Sequence, residues 1–156
     1  MDKKRRTELL EKYRTGHQAV LESLANLRDE ELDRSAGADD WTPRQIVHHI
    51  ADSEMTAAIR LRRLVTEDNP QIVGYDEKVF ARALTRDRPI EPSLEAVRWV
   101  RESTVQILER LSEDEWQRAG THTELGPYSV ERWLEVYAAH CHDHAAQIKK
   151  TRGVLV

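Results

Sequence analysis

The sequence predicts an all-α protein, a four-helix bundle with a long crossover between its second and third helices. Three observations carry this expectation. Four long segments repeat apolar residues at alternating spacings of three and four, the pattern of a helix with one buried face. β-branched residues rarely run together and there is one Phe, which leaves little from which to build a sheet core. Six Gly and five Pro in 156 residues give the chain few turn formers.

The first segment runs from about Thr7 to Leu27, through Leu10, Tyr13, His17, Val20 and Leu24. The second opens at Thr42-Pro43-Arg44-Gln45. Thr42 can cap, Pro43 suits the first helical position and Gln45 completes a capping box. It continues to about Thr66 through Ile46, Ile50, Ala57, Leu61 and Leu64. The third begins near Pro92-Ser93 and reaches Leu111 through Leu94, Val97, Thr104 and Leu108. The fourth follows Ser129, a good cap, and runs to about Thr151, just before Gly153; its stripe is Val130, Trp133, Leu134, Tyr137, Cys141 and Ile148.

The connections are unequal. A polar stretch from Arg28 to Trp41 joins the first two helices. The stretch from Glu67 to Glu91 separates the second from the third, with a short helix expected over Tyr75 to Leu84. A connection this long is either functional or a crossover over the end of a bundle. A helical turn is expected at 113–118 before the loop into the fourth helix.

Bulk properties exclude several classes. The length suits one domain over residues 1–156 with one sizeable core. Net charge is −4 with both signs mixed along the chain, so no broad basic patch for nucleic acid is expected. KKRR at 3–6 and RLRR at 60–63 read mainly as solvated faces, although RLRR could reach a phosphate or a partner. The start lacks the apolar core of a signal peptide, and no apolar run is long enough to span a membrane. One cysteine rules out an intrachain disulfide framework. A cytoplasmic location is the resulting expectation.

The chemistry concentrates in His140-Cys141-His142-Asp143-His144. At about 100° per residue, His140 and His144 fall about 40° apart on one flank of the apolar stripe, while His142 falls about 160° from His144. Cys141 lies near the stripe centre and reads as core, with nothing to make it a nucleophile. His142 and Asp143 read as solvated. In the second helix His48 points about 175° from the stripe centre, into solvent, and His49 sits at the stripe edge. His49, His140 and His144 can therefore converge. Three neutral imidazoles bind Zn²⁺, Ni²⁺ or Fe²⁺ and leave coordination positions open. Asp52, one turn beyond His49, is a candidate general base or outer partner of the ligands. The competing reading is that these are satisfied polar side chains, since H-x-x-x-H alone is a short signal.

Arg101 falls inside the stripe of the third helix, where a charge is costly unless paired. It could clamp a substrate or thiol carboxylate, or form a buried ion pair with Glu54 or Asp52. His17 interrupts the first stripe and reads as a hydrogen-bonded core histidine. Tyr75, Asp76 and Glu77 could roof a pocket or simply cap the short helix, and His122 is placed in a loop outside the ligand set.

Four motifs carry a resemblance: WTPRQIVHHIADSE at 41–54, GYDE at 74–77, THTELGPYSV at 121–130 and AHCHDHAAQI at 139–148. In order and spacing they resemble the DinB-like superfamily of four-helix metalloproteins over nearly the whole chain. That family carries a Trp before its second helix, H-x-x-D on it, and H-x-x-x-H ahead of Gln-Ile on its fourth, which fall here on Trp41, His49 and Asp52, His140 and His144, and Gln147-Ile148. The resemblance implies a bundle with a long crossover, one divalent metal ion, often zinc or nickel, on His49, His140 and His144, and frequent homodimers. It implies metal-dependent hydrolysis of a small molecule or S-transfer with a low-molecular-weight thiol. A bundle that binds metal or ligand without turnover is the alternative.

Overall fold

The computed structural model describes residues 1–38 and 40–153. Four long helices form the bundle: α1 (Lys3–Leu24), α3 (Pro43–Thr66), α5 (Glu91–Leu108) and α7 (Val130–Thr151). Three short ones lie in the connections: α2 (Asp29–Leu32), α4 (Glu77–Leu84) and α6 (Glu113–Trp116). Three strands, β1 (Gln71–Ile72), β2 (Ala119–His122) and β3 (Gly126–Ser129), make a small sheet in the order β1-β2-β3. This is the predicted bundle, with a sheet that the sequence reading did not find.

Local chemistry sets the helix ends. Thr42 accepts from the Gln45 N–H at 3.2 Å and the Gln45 side chain accepts from the Thr42 N–H at 2.9 Å, the expected capping box. Ser129 caps α7 through the Arg132 N–H. Past Thr151, Gly153 takes φ 68° and its N–H donates to the Lys150 carbonyl at 3.0 Å, closing the helix as glycine does cheaply. The first helix starts earlier than expected because Asp2 accepts from the Arg5 N–H at 2.7 Å. It stops before Leu27 because Asn26 turns into the left-handed region at φ 60°.

The packing explains the crossover. α1 packs on α7 and α5, and α3 on α5 and α7, so α1 and α3 lie diagonally. His48 meets Ser93 and Arg62 meets Ser103, so α3 and α5 run parallel. Parallel neighbours require the chain to return along the bundle between them. The segment 67–90 does this, and it is tied down where β1 pairs in parallel with β2. By contrast Trp133 donates to the Ala57 carbonyl at 2.8 Å while His140 faces His49, so α3 and α7 are antiparallel. The site therefore lies between the first half of α3 and the second half of α7.

The core has two main parts. One gathers Tyr13, Leu61, Leu64, Leu108, Trp133 and Leu134. The other gathers Val20, Ile46, Ile50, Val97, Cys141 and Ile148. Arg101 joins them. It forms an ion pair with Glu54, donates from Nε to the Tyr13 carbonyl at 2.9 Å and from Nη1 to the Cys141 sulfur at 3.0 Å. The Tyr13 hydroxyl donates to the other Glu54 oxygen at 3.1 Å. Gly16 makes room for this: a Cβ there would lie 2.7 Å from Arg101 Nη2 and 2.9 Å from Cys141 Cβ.

One orientation is corrected. His48 does not face solvent but is 1% exposed. Its Nδ1 lies 2.8 Å from Ser93 Oγ and its Nε2 3.2 Å from the Arg88 carbonyl. The stripe argument assumed one buried face. The end of the crossover and the start of α5 cover His48 through Arg88 and Ser93, and Leu32 of α2 and Ile90 pack on the neighbouring Val47 of α3.

Candidate metal centre

His49 is buried on α3, and His140 and His144 are half-buried on α7. Each offers one ring nitrogen, and the three nitrogens lie within 4.8 Å of one another. The rings are mutually close, with centroids 5.3 Å apart for His49 and His140, 4.8 Å for His49 and His144, and 4.6 Å for His140 and His144. The Nε2 atoms of His49 and His140 stand 3.3 Å apart. Two Zn–N bonds of about 2.0–2.1 Å at a tetrahedral angle would put their nitrogens about 3.3 Å apart, so this pair fits an ion without rearrangement. Among the described residues no carboxylate or thiolate joins the cluster.

Electrostatics favour metal binding over protonation. Burial pushes the His49 ring down to about 4, with His144 adding repulsion. Burial also holds His140 well below the ordinary histidine range, with the two neighbouring rings and Arg101 pushing the same way. His144 is lowered by burial, partly offset by Gln147. All three are thus neutral near pH 7, with lone pairs available to a cation.

The surroundings fix one ring and wall the others. His144 Nδ1 lies 2.9 Å from the Gln147 Oε1. An amide oxygen only accepts, so Nδ1 carries the proton and Nε2 keeps its lone pair. His49 and His140 have no such partner, and their Nδ1 atoms are buried without hydrogen bonds. Trp41 packs over the cluster, 4.7 Å from the His49 ring and stacked 6.3 Å from His144. Tyr137 stands 5.9 Å from His140.

The other candidates lie outside the nitrogen cluster itself. Asp52 is half-buried, and burial raises its carboxyl while Arg88 and His48 pull it back. Its Oδ2 is buried without a partner, and it does not join the nitrogen cluster. Arg101 is 2% exposed and committed to Glu54 and the Tyr13 carbonyl, so the ion-pair alternative has its partner and a carboxylate clamp has no free donor. Cys141 is fully buried, its thiol pushed up by burial. His142 turns away from the cluster and donates from Nε2 to the Lys12 carbonyl of α1 at 2.9 Å, and Asp143 is exposed. His17 is half-buried with Nε2 unpartnered. His122 lies on β2, its Nδ1 accepting from the Glu124 N–H at 3.2 Å. Sequence reasoning gave no role to Gln147, although it stands in the quoted motif, three residues beyond His144.

Fold and site together define an antiparallel helix pair, within a four-helix bundle, that presents three imidazoles to one point. The DinB superfamily profile matches residues 12–148, and the chain belongs to that family. A relative from Oceanobacillus iheyensis named "putative metal-dependent hydrolase" is 38% identical over 126 residues, 81% of this chain and 73% of its own. A second from the same organism, with the same designation, is 30% identical over 91% of this chain and 82% of its own. A solved structure, YfiT of Bacillus subtilis, superimposes with a TM-score of 0.92 at 25% identity, over 98% of this chain and 89% of that one. It is described as a "probable metal-dependent hydrolase with an unusual four-helix bundle topology".

Proposed function

We propose that this protein is a metal-dependent enzyme that holds one divalent ion, zinc or nickel, on His49, His140 and His144 and hydrolyses a small molecule. The observation that carries the reading is three neutral ring nitrogens within 4.8 Å of one another, with no acid or thiol joining them among the described residues. Structural zinc sites are normally closed by four protein ligands, whereas three leave a position for substrate or water. The designations of the Oceanobacillus relatives and of YfiT support the reading.

A divalent ion in this position supplies Lewis-acid polarisation of a substrate or water oxygen. The protein's own groups do the rest. Gln147 holds the His144 tautomer, and Trp41 and Tyr137 shield the rings from solvent. Asp52 is the candidate proton acceptor: its carboxyl is raised by burial and one oxygen is uncommitted. S-transfer is the competing reaction, since an open position can also take a thiolate. Cys141 is sealed in the core, so the sulfur would come from a low-molecular-weight thiol.

The test is to strip the protein with chelator and reload it with zinc or nickel. It is then assayed on ester, amide and phosphoester panels, and on displacement of halide from an activated aryl halide by a thiol. Metal-dependent turnover of the first set, lost in His140→Ala and lowered in Asp52→Asn with metal retained, supports hydrolysis. Turnover with thiol alone moves the protein to S-transfer, and no turnover in any arm leaves a metal-binding bundle without catalysis.

A further inference from the structure

The crossover and the β2–β3 hairpin close over one flank of α3 and α7. Between them lies a cavity of about 460 Å³. One of its walls is Tyr137, the residue whose ring stands 5.9 Å from that of His140, so the cavity backs onto the histidine cluster.

Many of the groups around this cavity are charged, and among the described residues none of them forms an ion pair. Arg60 donates from Nη1 to the Tyr137 hydroxyl at 3.1 Å and from Nη2 to the Val73 carbonyl at 2.7 Å. Its guanidinium carbon lies 5.8 Å from the centre of the Tyr75 ring. These partners are neutral, and among the described residues no carboxylate lies within ion-pair distance of Arg60, unlike Arg44, Arg101 or Arg118. Arg60 Nε is buried without a partner, and the buried Tyr75 hydroxyl, near Ser53, stays protonated because burial raises it to about 12. His122 accepts at Nδ1 from the Glu124 N–H, so the proton of its neutral ring sits on Nε2. The half-buried guanidinium is thus accompanied by further donors.

The acidic groups are Glu77 and Glu124, neither paired with a cation among the described residues. The Glu124 carboxylate rests against Gly74, where a Cβ would come within 2.5 Å of it. Burial raises the Glu77 carboxyl, the Arg60 charge pulls it part of the way back, and Glu124 and Asp76 add lesser repulsion. Asp76 is already spent on capping α4, and Lys78 is the one exposed cation among these acids. The cavity is thus lined by a guanidinium and two carboxylates, with no ion pair between them within bonding distance among the described residues.

We propose that this cavity is a selectivity subsite for a small molecule that carries both an anionic group and a protonated amine. The anion meets Arg60 and His122, and the amine meets Glu77 and Glu124. A ligand held there lies across the Tyr137 ring from His140. Its role as a substrate subsite rests on the metal-dependent reading above, while the charge recognition does not. Arg60 is the specificity-determining residue.

The experiment follows backbone amide shifts of Gly74, Tyr75 and Thr123 by NMR in metal-free and zinc-loaded protein. The probes are γ-aminobutyrate, with both charges, butyrate, with only the anion, and n-butylamine, with only the cation. The expected order is γ-aminobutyrate tightest, then butyrate, with n-butylamine weakest. Arg60→Gln is expected to weaken γ-aminobutyrate by roughly tenfold, the loss of a charge-assisted contact, and Arg60→Lys to retain part of the affinity. Equal binding by all three probes, unchanged affinity in Arg60→Gln, or no shifts at these amides would overturn the inference. His144→Ala separates the two readings, because it removes a metal ligand and leaves the cavity whole. A chain that binds no metal but still ranks the probes by charge retains the subsite and loses the metal centre. A zinc-loaded chain that ignores the probes retains the metal centre and loses the subsite.

Discussion

His144 Nδ1 lies 2.9 Å from Gln147 Oε1, one turn along α7, so a side chain that is not a ligand fixes which nitrogen of a ligand is free. Partners of this kind raise ligand basicity and hold ring orientation. Gln147→Ala is expected to lower zinc affinity by roughly 10–100-fold with helix content unchanged. A competition titration against a coloured chelator measures it, and wild-type affinity would show that the contact is incidental.

The Arg101–Glu54 pair sits where all four long helices meet, with Tyr13 from α1 and Cys141 from α7 completing it. Removing one partner strands a buried charge. Arg101→Met or Glu54→Leu alone is expected to cost about 3–5 kcal/mol in urea unfolding, and the double variant clearly less than the sum. Additive losses would mean that the two charges do not stabilise each other.

Gly16 lies on α1 against that pair. Alanine gains helix propensity of about 1 kcal/mol over glycine. Here its Cβ would meet Cys141 Cβ at 2.9 Å and an Arg101 nitrogen that is pinned by the Tyr13 carbonyl. Gly16→Ala is therefore expected to destabilise by about 1–3 kcal/mol, visible as a lower urea midpoint. A stabilised variant would show that α1 can move away freely.

Acid should destabilise the metal-free bundle. Burial is the leading cause that lowers His17, His48, His49, His122, His140 and His144 below the ordinary value. A group lowered on folding is neutral in both states above its unfolded pKa of about 6.5, and its stability contribution is lost as pH falls toward the folded value. For His49 that window runs from the ordinary value of 6.5 down to about 4. Urea midpoints should therefore fall steadily from pH 7 to pH 5, and a flat profile would contradict buried neutral rings.

Much of this was legible in sequence because its signals are local. The box at Thr42 and Gln45 fixed the start of α3, and the spacing of His140 and His144 placed them on one flank of α7. The sheet was not legible, because β1 is two residues long and owes its existence to pairing with β2, some fifty residues away. His48 misled for a similar reason: helical phase gives direction but not what covers that direction, and Arg88 and Ser93 cover it. Arg101 was visible as an anomaly, yet its choice of Glu54 over Asp52 depended on how α3 and α5 pack. Arg60 looked like part of a solvated RLRR run, and only the fold of the crossover brings Val73 and Tyr75 to it.

The most direct test of the central claim is metal content per chain, by mass spectrometry, on untagged protein and on His49→Ala, His140→Ala and His144→Ala. The account predicts one divalent ion per parent chain and its loss from each variant, with the helical bundle retained. A parent that stays metal-free after reconstitution with zinc and with nickel, or variants that keep their ion, would contradict it.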